Sequence, residues 1–218
     1  MNMNSVHCVI LISGDWPDLG QNATQRSMKK VSALKPGCDC KLAKYWITCT
    51  QTNVIQLPGK FFDDTNVKKA IIDISSKLAN ILKKKGTRIE PPLRNMLEAL
   101  KRVSPAKIKV IILGQDPTPQ AGKATGLAFS LKSEEDAREV PAVLNVLLEV
   151  ALEGWKVDLS DGDLSSWTKK GVLLLNTAFT ITQGEAASHL SIWKPFTELL
   201  IKYISDNASM CKVRLQLI

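Results

Sequence analysis

No stretch of the 218-residue sequence is apolar for long enough to cross a bilayer, which takes about 20 residues in a row. The short patch Val9-Ile10-Leu11-Ile12 has no basic residue before it and no small-residue cleavage site, so no secretory signal peptide is expected. Cysteine is sparse and unpatterned: Cys8, Cys38, Cys40, Cys49 and Cys211, an odd number at irregular spacing. That argues against a disulfide framework and fits a reducing compartment. Histidine is scarcer still, with only His7 and His189. Cys38-Asp39-Cys40 could be half of a metal site, but no second Cys/His pair stands at ligand spacing, so no metal is expected. No internal repeat is present.

What is there fits an ordinary globular domain with a tail: 44% hydrophobic and 23% charged residues. The formal charge of +8 is unevenly spread. Residues 1–109 hold 19 basic against 8 acidic side chains, and residues 110–218 hold 10 against 13. A basic chain suits a polyanionic partner, but the basic half is not the half with the conspicuous motifs.

Residues 1–60 have no sustained periodicity and carry Gly, Pro, Asn and Thr throughout, which reads as a poorly ordered extension. The domain is expected over residues 61–218. Val67, Ile71, Ile74, Leu78 and Ile81 recur every three or four residues, one face of a helix over 66–85. Lys83-Lys84-Lys85 and then Gly86 suit its negative end and its stop. After Pro91-Pro92, the residues Leu93, Met96, Leu97 and Leu100 suggest a second helix. Lys107–Leu113 reads as a strand that becomes fully buried. A helix follows around Val143, Val146, Leu147 and Val150, and then a second buried strand, Gly171–Leu175, ends at Asn176. Ile192, Trp193, Phe196, Leu199, Leu200, Tyr203 and Ile204 line a further helix, with Pro195 in its first turn. Lys212–Ile218 reads as a third strand. Strands alternating with helices predict an α/β fold, a three-layer αβα sandwich around a mostly parallel sheet.

In such sheets, sites form beyond the carboxyl ends of the strands. Two polar signals fall there: Gly114-Gln115-Asp116-Pro117 after one strand and Asn176 after the other. Asp116 can hold a water, act as a base or stabilise a positive charge; it can equally close its own turn. Asn176 offers an acceptor and donors on a planar amide that matches a nucleobase edge, or it simply ends a strand. Phe129, in Gly126-Leu127-Ala128-Phe129-Ser130, is either core or a stacking platform beside a glycine-opened backbone.

Taken in order and spacing, GQDP, GLAFS and LLLN resemble the family 1 uracil-DNA glycosylases. The likeness continues through Asp161–Asn176, Ala187-Ser188-His189, Trp193 and Phe196-Thr197, and covers roughly residues 88–213. The resemblance implies an enzyme of base excision repair that acts on uracil-containing DNA and needs no metal or cofactor. It implies that a uridine is flipped out of DNA. Its base would stack on Phe129 and be read by Asn176 and by the backbone around Gln115. Asp116 would orient the attacking water and stabilise the cationic sugar. It also implies a place of action in the nucleus, with the mitochondrion as the alternative.

Three departures from the family pattern stand out. Thr118-Pro119 replaces Tyr-His after Asp-Pro, and the tyrosine is the residue that blocks the C5 methyl of thymine. Val140-Pro141-Ala142 stands for a proline-rich phosphate-gripping loop, with Ala142 in place of a serine. The later His-Pro-Ser segment, whose histidine stabilises the departing uracil anion, has no counterpart among these residues. The sheet is therefore expected to lack its last strand, and turnover to be reduced or absent. His189 does not replace that histidine by position; a structural role near a helix start is expected for it, and His7 is assigned nothing. The rival readings are a non-catalytic DNA- or protein-binding derivative of the fold and an unrelated small α/β protein.

Overall fold

The computed structural model describes residues 57, 59–104 and 107–207, together with two strands, Cys8–Leu11 and Arg214–Leu217. His7, Cys38-Asp39-Cys40 and most of the expected extension lie outside the described residues. In chain order the strands are β1 (Cys8–Leu11), β2 (Ile89–Glu90), β3 (Val110–Gly114), β4 (Val172–Asn176), β5 (Ile181–Thr182) and β6 (Arg214–Leu217). The helices are α1 (Gly59–Asp63), α2 (Thr65–Leu82), α3 (Glu98–Arg102), α4 (Pro141–Leu152), α5 (Ser165–Thr168) and α6 (Leu190–Asn207).

The two expected buried strands, β3 and β4, pair in parallel from Val110↔Val172 to Gly114↔Asn176. Ile111, Ile112, Leu113, Leu173, Leu174 and Leu175 are all buried. Each such side chain withdrawn from water contributes about 1.5–3 kcal/mol. The fold is α/β, as expected, and among the described strands the parallel pairing is confined to β3 and β4. A sheet order of β4-β3-β1-β6 places β1 along β3, antiparallel, and β6 along β1, also antiparallel. The apolar patch near the start of the chain is thus a strand of the sheet, since its unpaired backbone groups match the open edge of β3.

Helix α2 follows the sequence pattern. The Asp64 carboxylate caps it by accepting from Asn66 N at 2.7 Å and Val67 N at 3.2 Å. Its face of Val67, Ile71, Ile74 and Leu78 is buried, and it packs against α6. Two readings are corrected in detail. Leu93–Leu100 is not one helix but a 3-10 turn at Leu93–Asn95 followed by α3, with Leu97 between them out of helical geometry (φ −104°, ψ 20°). Met96, Leu97 and Leu100 still reach the core. Helix α6 starts at Leu190, so Pro195 lies inside it rather than in its first turn. Pro195 removes the N–H that would bond the Ser191 carbonyl, and it stands on the exposed face of a helix held by buried Trp193, Phe196, Leu200 and Ile204.

Candidate active site

The site is built where β3 and β4 end side by side. Beyond the paired residues Gly114 and Asn176, the two chains are tied again. Thr177 N donates to Gly114 O at 2.8 Å, while Ala178 N and Thr177 Oγ1 donate to Gln115 O at 2.9 and 2.7 Å. Only a glycine fits at 114. A Cβ there would lie 2.3 Å from Asn176 Oδ1, 3.1 Å from Ala128 Cβ and 3.4 Å from Phe129 Cε2. The same distances place the Asn176 amide and the Phe129 ring against one backbone position at the strand ends.

Asn176 is buried and its amide oxygen has no hydrogen-bond partner. An orphaned buried acceptor costs about 1–3 kcal/mol, which a bound donor would return. A cavity of about 10 Å³ behind it, lined by Met96, Leu97, Leu175 and Phe179, could hold no more than one water. A wider cleft of about 310 Å³ runs past Thr125, Ser130, Lys132 and Asp163 and includes neither Asn176 nor Phe129.

Phe129 is half-buried and has φ +57°, a conformation uncommon for a side chain of this size. Its loop is fixed on both sides. Ala128 N donates to Leu174 O at 3.2 Å, and buried Ser130 Oγ accepts from Leu164 N at 3.0 Å. Asp116, half-buried, leaves the rim two residues after Gly114. Its Oδ2 accepts from the backbone N–H of Ala187, 71 residues along the chain. A carboxylate that merely closed its own turn would bond two residues on. Gly184 N donates to Pro119 O at 3.0 Å, so the loop holding Asp116 and half-buried Thr118 is clamped twice to the turn at 183–187. The structure thus brings Phe129 and Asn176 together, ties Gln115 beside them through its carbonyl, and sets Asp116 at the same strand end.

The residues that sequence reasoning missed belong to this clamp. Ala187 supplies an N–H from a left-handed conformation (φ +65°). Glu90, buried, accepts from Gly122 N and Gln183 Nε2, both at 3.0 Å, and so joins β2 to the far side of the Asp116 loop. Ala187 lies in the Ala187-Ser188-His189 stretch, but its backbone donor gives no sign in the sequence of what it holds, and Glu90 carries no local motif.

His189 is buried just before α6. Its Nδ1 lies 3.0 Å from Thr180 Oγ1 and its Nε2 3.2 Å from Thr182 Oγ1. Burial holds its pKa below the ordinary histidine value, and a hydrogen bond with the Thr180 backbone opposes this more weakly. The folded chain therefore keeps the ring neutral, while the unfolded chain takes up a proton near pH ~6.5. Below that pH the unfolded state binds more protons, so this contribution to stability is complete above it and is lost on acidification. Urea midpoints measured between about pH 7.5 and pH 5 should fall, and His189→Gln should flatten that slope.

The model of the Uracil DNA glycosylase superfamily matches residues 100–217, more than half of the chain. The chain belongs to the uracil-DNA glycosylase superfamily. Among its superfamily relatives, the uracil-DNA glycosylase of Aliarcobacter butzleri is 43% identical over 119 residues, 54% of each chain. That of Idiomarina loihiensis is 43% identical over 122 residues, 55% of this chain and 56% of the other. The crystal structure of mimivirus uracil-DNA glycosylase superimposes with a TM-score of 0.59 at 30% identity, covering 68% of this chain and 55% of that one. The chain spans about half the length of the curated relatives it matches. These curated glycosylases come from bacteria, which have no nucleus, and that overturns the expected nuclear location. These bacterial relatives give the mitochondrial alternative no support.

Proposed function

We propose that the chain hydrolyses the N-glycosidic bond of uracil in DNA, a step of base excision repair. The observation that carries the reading is the buried, unpartnered amide oxygen of Asn176 beside the Phe129 ring, at the strand end from which Asp116 projects. A flipped uracil ring would stack on Phe129. Asn176 would pair with the base edge and reject cytosine, whose exocyclic amine presents a donor where uracil presents an acceptor. The backbone at Gln115 would hold the opposite edge.

Asp116 serves the sugar in this reading. As the C1′–N1 bond breaks, its electron pair leaves with uracil and the sugar becomes cationic. The carboxylate stabilises that cation and directs a water to C1′, and the water's proton passes to the carboxylate or to solvent. The Ala187 N–H fixes the orientation of the carboxylate plane.

The test is uracil release from single-stranded uracil-DNA by the purified chain, with Asn176→Ala as a control. Release that the control abolishes supports the enzyme. DNA binding without release supports the non-catalytic derivative, to which the departures at Thr118-Pro119 and Ala142 lend their weight.

Thr118 bears on selectivity. It is smaller than the tyrosine of the family pattern, so exclusion of 5-substituted uracils should be loose. Thymine and 5-hydroxymethyluracil should be excised at measurable rates, and Thr118→Tyr should raise the preference for uracil about tenfold or more. Full rejection of both bases by the native chain, with good activity on uracil, would refute this.

A further inference from the structure

We propose that His189 is a positioning residue for Asp116: it anchors the exposed turn whose Ala187 N–H orients the carboxylate. The inference rests on reading Asp116 as the group that serves the sugar.

Glu185, Ala186 and Ala187 are exposed, and Ala187 is held at φ +65°. Exposed turns are ordinarily mobile, and a side chain held in this region persists only where its surroundings over-determine it. Here the determination comes from two residues further on. His189 is 1% exposed, and both its ring nitrogens are engaged, Nδ1 on Thr180 and Nε2 on Thr182. Those threonines flank buried Ile181. Thr180 Oγ1 also accepts from the Trp193 indole N–H at 2.7 Å, and Trp193 is fully buried and stacked on Phe179 at 4.7 Å. Thr182 N donates to Ser188 Oγ at 2.9 Å, and Glu185 N to Thr182 O at 2.9 Å. A continuous path therefore runs from the core, through Trp193, Thr180, His189, Thr182 and Ser188, to the residue that meets Asp116.

The indole can only donate, so Thr180 accepts from it. Nδ1 faces the Thr180 hydroxyl and Nε2 the Thr182 hydroxyl, and in the neutral ring one nitrogen donates while the other accepts. An imidazole spent in this way at both ends is not available as an acid or base. Its effect on the reaction passes through Ala187, and no other residue of the path ties both threonines to the turn.

The test uses the full chain. His189→Phe should lower kcat about 10- to 100-fold with KM within about threefold, because the reacting carboxylate is misdirected while base binding is untouched. His189→Gln, which can still reach Thr182, should recover part of the loss. In an Asp116→Ala background the same His189→Phe change should cost less than about twofold, since the group it positions is gone. Independently of activity, the Ala187 amide proton resonance should follow the ionisation of Asp116 in the native chain and lose that pH response in His189→Phe. Thr180→Val should show the same pattern at smaller amplitude, and it takes over the test if His189→Phe does not fold. Costs that multiply in full in the double variant, or an unchanged amide response, would overturn the proposal. A native chain that releases no uracil would sink the proposed function instead, and the amide response would still decide the positioning.

Discussion

Asp116→Asn should reduce uracil release from single-stranded DNA by at least about a thousandfold while leaving the urea midpoint and DNA binding nearly unchanged. The asparagine keeps an oxygen that can accept from Ala187, so the clamp on the 183–187 turn survives. What it loses is the negative charge. A neutral amide cannot stabilise a cationic sugar or take a proton from water. The split between lost turnover and retained stability is the informative outcome. A variant that stays within about tenfold of the native rate would remove Asp116 from the chemistry.

Gly126→Ala should be the most damaging small substitution in the loop that carries Phe129. Gly126 has φ +89°, and a Cβ there would lie 1.9 Å from the Asn95 carbonyl oxygen, 2.9 Å from the Asn95 carbonyl carbon and 2.9 Å from Glu98 Cβ. Two costs combine. The conformation disfavours any side chain by about 1 kcal/mol. The collision is with backbone, which cannot rotate away as a side chain could, and adds about 1–3 kcal/mol. Chemical denaturation should register a loss of about 3 kcal/mol in total. Relief of the clash must also move the loop, so uracil release should fall with stability. Gly154→Ala separates the two effects: its φ of +85° is similar, but nothing lies within 4 Å of the added carbon. It should show only the conformational cost, about 1 kcal/mol. Equal losses in both variants would mean that the Asn95 contact is unimportant.

The parts of this fold that could be read in advance are those with a local signature. The apolar runs Val110–Leu113 and Val172–Leu175 lack polar alternation, as strands covered on both faces must, and their ends were therefore the places to look for Asp116 and Asn176. Helices α2 and α6 follow from the spacing of Val67, Ile71, Ile74 and Leu78 and of Trp193, Phe196, Leu200 and Ile204. What could not be read depends on distant partners. The N–H on Asp116 comes from Ala187, and a backbone donor has no residue type to betray it. Val9-Ile10-Leu11 is too short a run for its pairing with β3 to be foreseen, because the opposing edge lies about a hundred residues away. The break at Leu97 satisfies the same core contacts as a continuous helix would, so periodicity could not distinguish the two. Location in the cell is not encoded by a pocket at all, and the nuclear expectation failed for that reason.

The placement of Cys8–Leu11 has a consequence for anyone handling the protein. In the described sheet, Arg214–Leu217 meets Cys8–Leu11 and touches no other strand. Arg214–Leu217 is therefore seated by Cys8–Leu11, a segment far from it along the chain. Proteolysis or an insertion that displaced Cys8–Leu11 would unseat both segments at once, and damage done to one would be felt at the other.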